Sequence, residues 1–342
     1  MKRNNKNIAA MLLMAAAAFV GSSCENDNIN PYEYNNNGGN QNQGSTEVLK
    51  TKIAEYPIGS VVWTKDTTLT ESVEIPVGTS LYIEPGVTIT CKSDVQVPIE
   101  IVVLGNLYCM GTTEHPVTFT SDTKKTEDWG GIICGYNSQE VVLNHVDLAY
   151  AGATPTESSA SFQNHLFKST IDGGVPAFHF CNVNGKFVMA NCFLHDNYND
   201  QTYFTGGQGV IYNCIFADNG NATDGGEAIN VKAGCKLDIA NNIIYNACTN
   251  AFKLSNSGNS ELIPLTQLTA YNNTIVNCGW RRAKNKKGGS VWLEKAIAPT
   301  FVNNLVYDCR YGLKQPKKDG ADLEHSTVAP NYYFASTETG VK

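Results

Sequence analysis

Four residues sit at one recurring place in the chain and carry groups able to hold a sugar: His179, Asn230, Lys253 and Trp292. Each lies between two apolar residues, in Phe178/Phe180, Ile229/Val231, Phe252/Leu254 and Val291/Leu293. Alternate side chains of a strand face opposite sides, so if the apolar pairs point into a core, the residue between them points out. Tyr203 and Lys314 extend the same external column. Aromatic rings offer flat apolar faces to sugars, and a Lys ammonium offers charge to a uronate or sulfate. The column is therefore expected to be a ligand-binding stripe.

A basic loop adds to it. Trp280-Arg281-Arg282-Ala283-Lys284-Asn285-Lys286-Lys287 belongs to a stretch, 280–318, with a net charge of +8, while the remainder of the chain carries −15. Such an asymmetry attracts polyanions, and Arg281, Arg282 and Lys284 join the expected binding set. Catalytic groups are harder to find. Lys253 or Arg281 could act as a base, with Lys232 nearby, but no spacing demands it. There is no Gly-x-Ser-x-Gly elbow, phosphate loop or Cys-x-x-Cys, and no Cys/His spacing that suits zinc. Asp196 and Asp218, in line with Asn246, Asn277 and Asp308, could begin a calcium site, which wants six to eight oxygens; capping of turns is the plainer role. No cofactor is otherwise expected.

The element that must position these residues is a repeat. A unit of Asn, then Asn or Cys, a short apolar stretch, then Asp or Asn occurs five times, beginning at Asn191, Asn213, Asn241, Asn272 and Asn303. Three or four apolar residues suit a brief strand and are too few for a helix. Further short strands keep the same phase, as in Gly225–Lys232 and Lys236–Ile239. Three strands per repeat, punctuated by Gly and Asn, predict an all-β parallel solenoid with coils stacked at strand spacing. Asn tolerates the left-handed backbone of a sharp turn, and stacked copies can bond amide to amide. Cys192 and Cys214 share one phase, as do Cys278 and Cys309. Adjacent coils bring each pair within disulfide range, yet parallel side-chain vectors favour buried thiols.

Composition agrees. The 342 residues hold 30 Gly and 37 Asn, are 17% charged and 42% hydrophobic, and carry a net charge of −7. That excludes a disordered acidic chain, a coiled coil and a polytopic membrane protein. The one long apolar run, Ile8–Val20, follows Lys2, Arg3 and Lys6 and has the length of a secretory h-region. It ends Gly21-Ser22-Ser23-Cys24, which resembles the lipobox of bacterial lipoproteins, with Gly21 where Leu is usual. The expected organisation is a signal over 1–23, a lipid on Cys24, a polar tether over 24–46 and a folded body over 47–342. Glu25 and Asp27 resemble a surface-export signal, and Asp66-Thr67-Thr68 an O-glycosylation motif. The polar stretch 153–165 reads as a loop leaving the solenoid.

The phrases Leu81-Tyr82-Ile83-Glu84-Pro85-Gly86-Val87-Thr88-Ile89, Val103-Leu104-Gly105-Asn106-Leu107, Pro116-Val117-Thr118-Phe119-Thr120-Ser121 and Trp129-Gly130-Gly131-Ile132 resemble the right-handed parallel β-helix domains of Bacteroidetes surface lipoproteins. The resemblance spans about residues 60–335 and implies a pectate-lyase-like fold with three short strands per coil. His115 falls in one of its phrases and looks structural. Glycosidases of this fold carry Asp-Asp and Arg-x-Lys, and no Asp-Asp occurs here. Paired carboxylates are what such hydrolysis needs. The expectation is an outer-membrane, surface-exposed lipoprotein that binds polysaccharide without cleaving it, held to the membrane by its lipid alone and meeting no nucleic acid. A polysaccharide lyase or glycoside hydrolase, and a structural stalk or adhesin, are the alternatives.

Overall fold

The computed structural model describes residues 56–57, 59–166, 171, 173–221, 225–282 and 288–338. The expected signal, the expected lipid site Cys24, the whole tether and Lys284 lie outside the described residues. Gly59–Lys342 is one compact unit.

Three parallel sheets run its length. One has nine strands from Val61–Trp63 to Thr300–Val302, a second has ten from Thr67–Leu69 to Tyr332–Phe334, and a third has nine from Val73–Ile75 to Leu313–Lys314. Up to the last strand, Tyr332–Phe334, each strand pairs with its counterpart three strands away in sequence, so one coil visits all three sheets before the next is laid on it. The chain is a parallel β-helix with three strands per coil.

The corners follow from the repeated Asn and Asp. Asn191, Asn213, Asn241, Asn272 and Asn303 turn the first sheet into the second with φ of 54–56°. Asp196, Asp218, Asn246, Asn277 and Asp308 leave the second sheet with φ of 50–56°. Asn and Asp are the non-glycine residues that adopt this left-handed region most readily, which is why they recur. The stacked copies bond to one another: Asn213 Nδ2 donates to Asn191 Oδ1 at 2.7 Å, and Asn277 Nδ2 to Asn246 Oδ1 at 3.3 Å. A second ladder is buried, with Asn242 Nδ2 donating to Asn273 Oδ1, and Asn273 Nδ2 to Asn304 Oδ1, each at 2.9 Å.

Inside, the apolar columns stack into one continuous core that includes Phe119, Trp129, Phe178, Phe204, Phe252 and Phe301. The ten cysteines of the described residues are free and buried. Cys192 N donates to Cys214 Sγ at 3.4 Å, and Cys278 N to Cys309 Sγ at the same distance, so both pairs are vertical neighbours acting as small core residues. Burial pushes the Cys181 and Cys235 thiols up to about 12, which removes thiolate reactivity at neutral pH.

The 153–165 excursion is a strap rather than a bare loop. It carries a short helix, Ala160–Gln163, and folds over the outer face of the third sheet. There Val102, Ile133, Leu166 and Val175 form a small apolar cluster of their own. Ser161 fastens it, donating from its N–H to Glu100 Oε2 at 2.7 Å and from its hydroxyl to Oε1 at 2.6 Å. Glu100 is wholly buried.

A candidate active site in the outer cleft

The external column forms in the expected register. His179 pairs with Tyr203, Tyr203 with Asn230, Asn230 with Lys253, Lys253 with Trp292 and Trp292 with Lys314. It is not the open stripe that alternation alone implies. His179, Tyr203 and Asn230 are 0, 4 and 3% exposed, and only from Lys253 onward does the column reach solvent. The loops between the second and third sheets stand beside the column, where Asn199, Asp200 and Glu227 line one cleft with Tyr203 and Asn230.

Those loops also deliver groups that no contiguous motif announces. Thr202 pairs with Ile229, so two residues earlier the same register sets Asp200 beside Glu227, one coil above. The backbone agrees: Gln201 N donates to Glu227 O at 2.9 Å. Asp200 Oδ1 accepts from the N–H groups of Gly226 and Glu227 at 3.0 and 2.9 Å, and Oδ2 accepts from Asn230 Nδ2 at 2.8 Å. Gly225 and Gly226 make the approach possible. Both have positive φ, and a Cβ on Gly225 would lie 2.0 Å from Asn199 Oδ1.

Asp200, Glu227, Tyr203, Asn230, Lys253 and Arg282 line a cleft of about 240 Å³, with Gly173 and Gly174 of the returning strap as one wall. Its charges perturb one another. Burial, and then the charge of Asp200, push the Glu227 carboxyl up to about 8, and a side-chain hydrogen bond joins the two groups. Burial, and then Lys253, bring the Lys232 ammonium down to about 8. Lys253 is also buried enough to disfavour charge, but Glu227, Glu294 and Asp200 raise its pKa. Burial disfavours charge on Glu294, yet the Trp292 hydrogen bond and both lysines hold its pKa below the usual value. Glu294 Oε1 lies 3.8 Å from Lys232 Nζ and 3.9 Å from Lys253 Nζ, and Trp292 Nε1 donates to Oε2 at 2.7 Å. Lys232 Nζ lies 5.5 Å from the centre of the Tyr203 ring, whose hydroxyl is pushed far up by burial, then by Asp200, Glu227 and Glu294. At neutral pH the site thus holds a protonated carboxyl and an ammonium that gives up its proton easily. Paired shifts of this kind cluster at functional sites and also occur in structural ion-pair networks.

Other sequence candidates fall elsewhere. Arg281 is no base: its guanidinium donates to the carbonyls of Gly220 at 3.2 Å, Asn246 at 2.7 Å and Asn219, stapling three loops behind the cleft wall. Arg282 does reach the cleft, and its Nη1 donates to Gly225 O at 3.2 Å. Asp196 and Asp218 are engaged as turn residues. Asp196 Oδ2 faces His195 Nδ1 at 2.9 Å, and Asp218 Oδ1 accepts from Asn246 Nδ2. Among the described residues no group of three or more His, Cys, Asp or Glu is gathered as a cation would need. His195 stands between Asp147 and Asp196; burial works against its charge, but the two carboxylates raise it to about 9.

Two family models match the chain. One, a pectate-lyase like beta helix domain, covers residues 57–164, and the other, a right handed beta helix region, covers 129–328. The protein therefore belongs to the right-handed β-helix family. No curated protein and no solved structure matches it.

Proposed function

We propose that the protein is an exported, lipid-anchored β-helix that cleaves an acidic polysaccharide by β-elimination in the outer cleft. The observation that carries this reading is the buried Glu227 carboxyl, pushed toward its protonated form by burial and Asp200 while the charges of Lys253 and Lys232 pull the other way. Lys253 and Arg282 would hold the uronate carboxylate and make the adjacent carbon acidic. Lys232, in its neutral form, would take the proton from that carbon. As the C=C bond forms, the glycosidic C–O bond breaks and Glu227 gives its proton to the departing oxygen. Atoms balance without water. Hydrolysis fits less well, because the two carboxyl groups bond to each other, whereas glycosidase pairs stand about 5–9.5 Å apart to admit a sugar or water.

Incubation with polygalacturonate, alginate and glycosaminoglycans, followed by ultraviolet absorbance, tests the reading. New absorbance from unsaturated uronate is expected, and it is lost in Lys232→Met and Glu227→Gln. Binding without absorbance for every polyuronate would overturn elimination. It would favour simple glycan binding, the reading supported by Glu294 already standing within 4 Å of both lysines. Attachment through Cys24 is tested separately by mass spectrometry of the mature N-terminus, where an unmodified thiol removes the anchor.

A further inference from the structure

The external column is sealed at one end and open at the other. Toward the N-terminus its next members after His179 are Ile133 and Val102, in strict register, and the strap lies on both. The strap then returns through Gly173 and Gly174, and Asn199 Nδ2 donates to Gly174 O at 2.6 Å, tying that wall to the loop that carries Asp200. Toward the C-terminus nothing comparable covers Lys253, Trp292 or Lys314 among the described residues; all three are partly exposed. Lys314 Nζ sits 3.5 Å from the centre of the Tyr311 ring, marking the far end of an open run.

The floor of the closed end is built for a hydroxyl. Asn230 gives its Nδ2 to Asp200, which fixes the amide, and its Oδ1 is buried with no protein partner. An unsatisfied buried acceptor costs about 1–3 kcal/mol, and a ligand hydroxyl would relieve it. The space is small. At about 240 Å³ it lies below the roughly 300–1,000 Å³ of pockets that take drug-sized molecules, so it suits one ring and not a run of them.

We infer that the cleft is a blind pocket for the end of a glycan chain, with the terminal sugar over Asn230 and the following sugars running out past Lys253 and Trp292 toward Lys314. This rests on the glycan reading above and adds to it the mode of action: the strap stops a chain from threading through, so chains are taken from an end. The Trp292 indole, two coils beyond Asn230, meets the third sugar, and Lys253 and Lys314 meet acidic groups along the exit.

The test uses the full chain carrying Glu227→Gln, with polygalacturonate and alginate offered at constant mass, as intact polymer and as acid-shortened fragments. Isothermal titration is expected to show binding capacity per gram rising in proportion to the number of chain ends. Trp292→Ala is expected to weaken longer fragments about tenfold, ~1.4 kcal/mol, and to leave the dimer unchanged. Capacity independent of chain length, or a Trp292→Ala loss equal for dimer and polymer, would overturn the blind pocket while leaving glycan binding intact. No binding at any length would sink both. With the active protein, early products of mixed intermediate length would also overturn it.

Discussion

The outer face of the third sheet is one ladder with two fates. In its early coils the column reads Glu74, Val102, Ile133, and the last two are apolar and roofed by the strap. In its later coils, at the same pleat position, it reads His179, Tyr203, Asn230, Lys253, Trp292, Lys314 and borders a cleft. The backbone is the same in both. What differs is the loop that each coil inserts between the second and third sheets. A loop with apolar residues and a Ser161 clamp closes the face. Loops bearing Asp200, Glu227 and Arg282 leave it as an open cleft lined by charged groups. A solenoid separates scaffold from site in this way, and residues outside the ladder decide what the ladder does.

The contrast can be broken most sharply at its active end. Lys232→Met and Glu227→Gln are each expected to lower the rate of elimination by about 10²–10⁴-fold, as loss of a general base or acid does, with the unfolding midpoint unchanged or raised. The same two groups set the pH profile. The proposed elimination needs Lys232 neutral and Glu227 protonated, and both titrate near 8. The rate should therefore peak near pH 8, falling below it as Lys232 takes up its proton and above it as Glu227 loses its own.

Ile133→Lys moves the chemistry of position 253 into the roofed region. There a charge has neither solvent nor partner, so a loss of about 3–5 kcal/mol in urea unfolding is expected. Lys tolerated at 133 would show that the roof is not closed. Ser161→Ala is milder. It takes one donor from the buried Glu100, whose pKa burial already raises while the Ser161 bonds restrain it, and should cost about 1–3 kcal/mol. Faster hydrogen exchange in 153–166 is the accompanying sign.

The smallest effect belongs to a staple on the second sheet, remote from either region of the column. His195 titrates near 9 when folded, against 6.5 when free. Its stabilisation is present in full below pH 6.5 and is lost as pH rises through 9. Asp147 and Asp196 are 36 and 48% exposed, so screening keeps His195→Gln to about 1 kcal/mol or less at pH 6, with no difference at pH 10. An equal deficit at both pH values would deny the charge pairing.

Much of this is legible in the sequence. Phe178/Phe180 and Ile229/Val231 announced the inward face, and the residue between each pair announced the column with its register. The Asn at 191, 213, 241, 272 and 303 announced corners because left-handed backbone is a local property of the residue. The carboxyl pair was not legible as a motif. Asp200 and Glu227 stand in different coils, and a search for contiguous Asp-Asp passes over them. Carrying the strand register two residues back into the loops would have found them. Arg281 is the opposite case: its sequence neighbourhood is basic and exposed in character, while its guanidinium is spent on three carbonyls of two other loops.

By itself the sequence determined the coil, the phase of its strands and the types of group along its outer face, since alternation and turn preference act over a few residues. Only the tertiary structure decided which of those groups meet water and which titrate near neutrality. Desolvation and charge depend on neighbours brought from other coils, and a strap whose role the sequence left open turned a stripe into a closed-ended cleft.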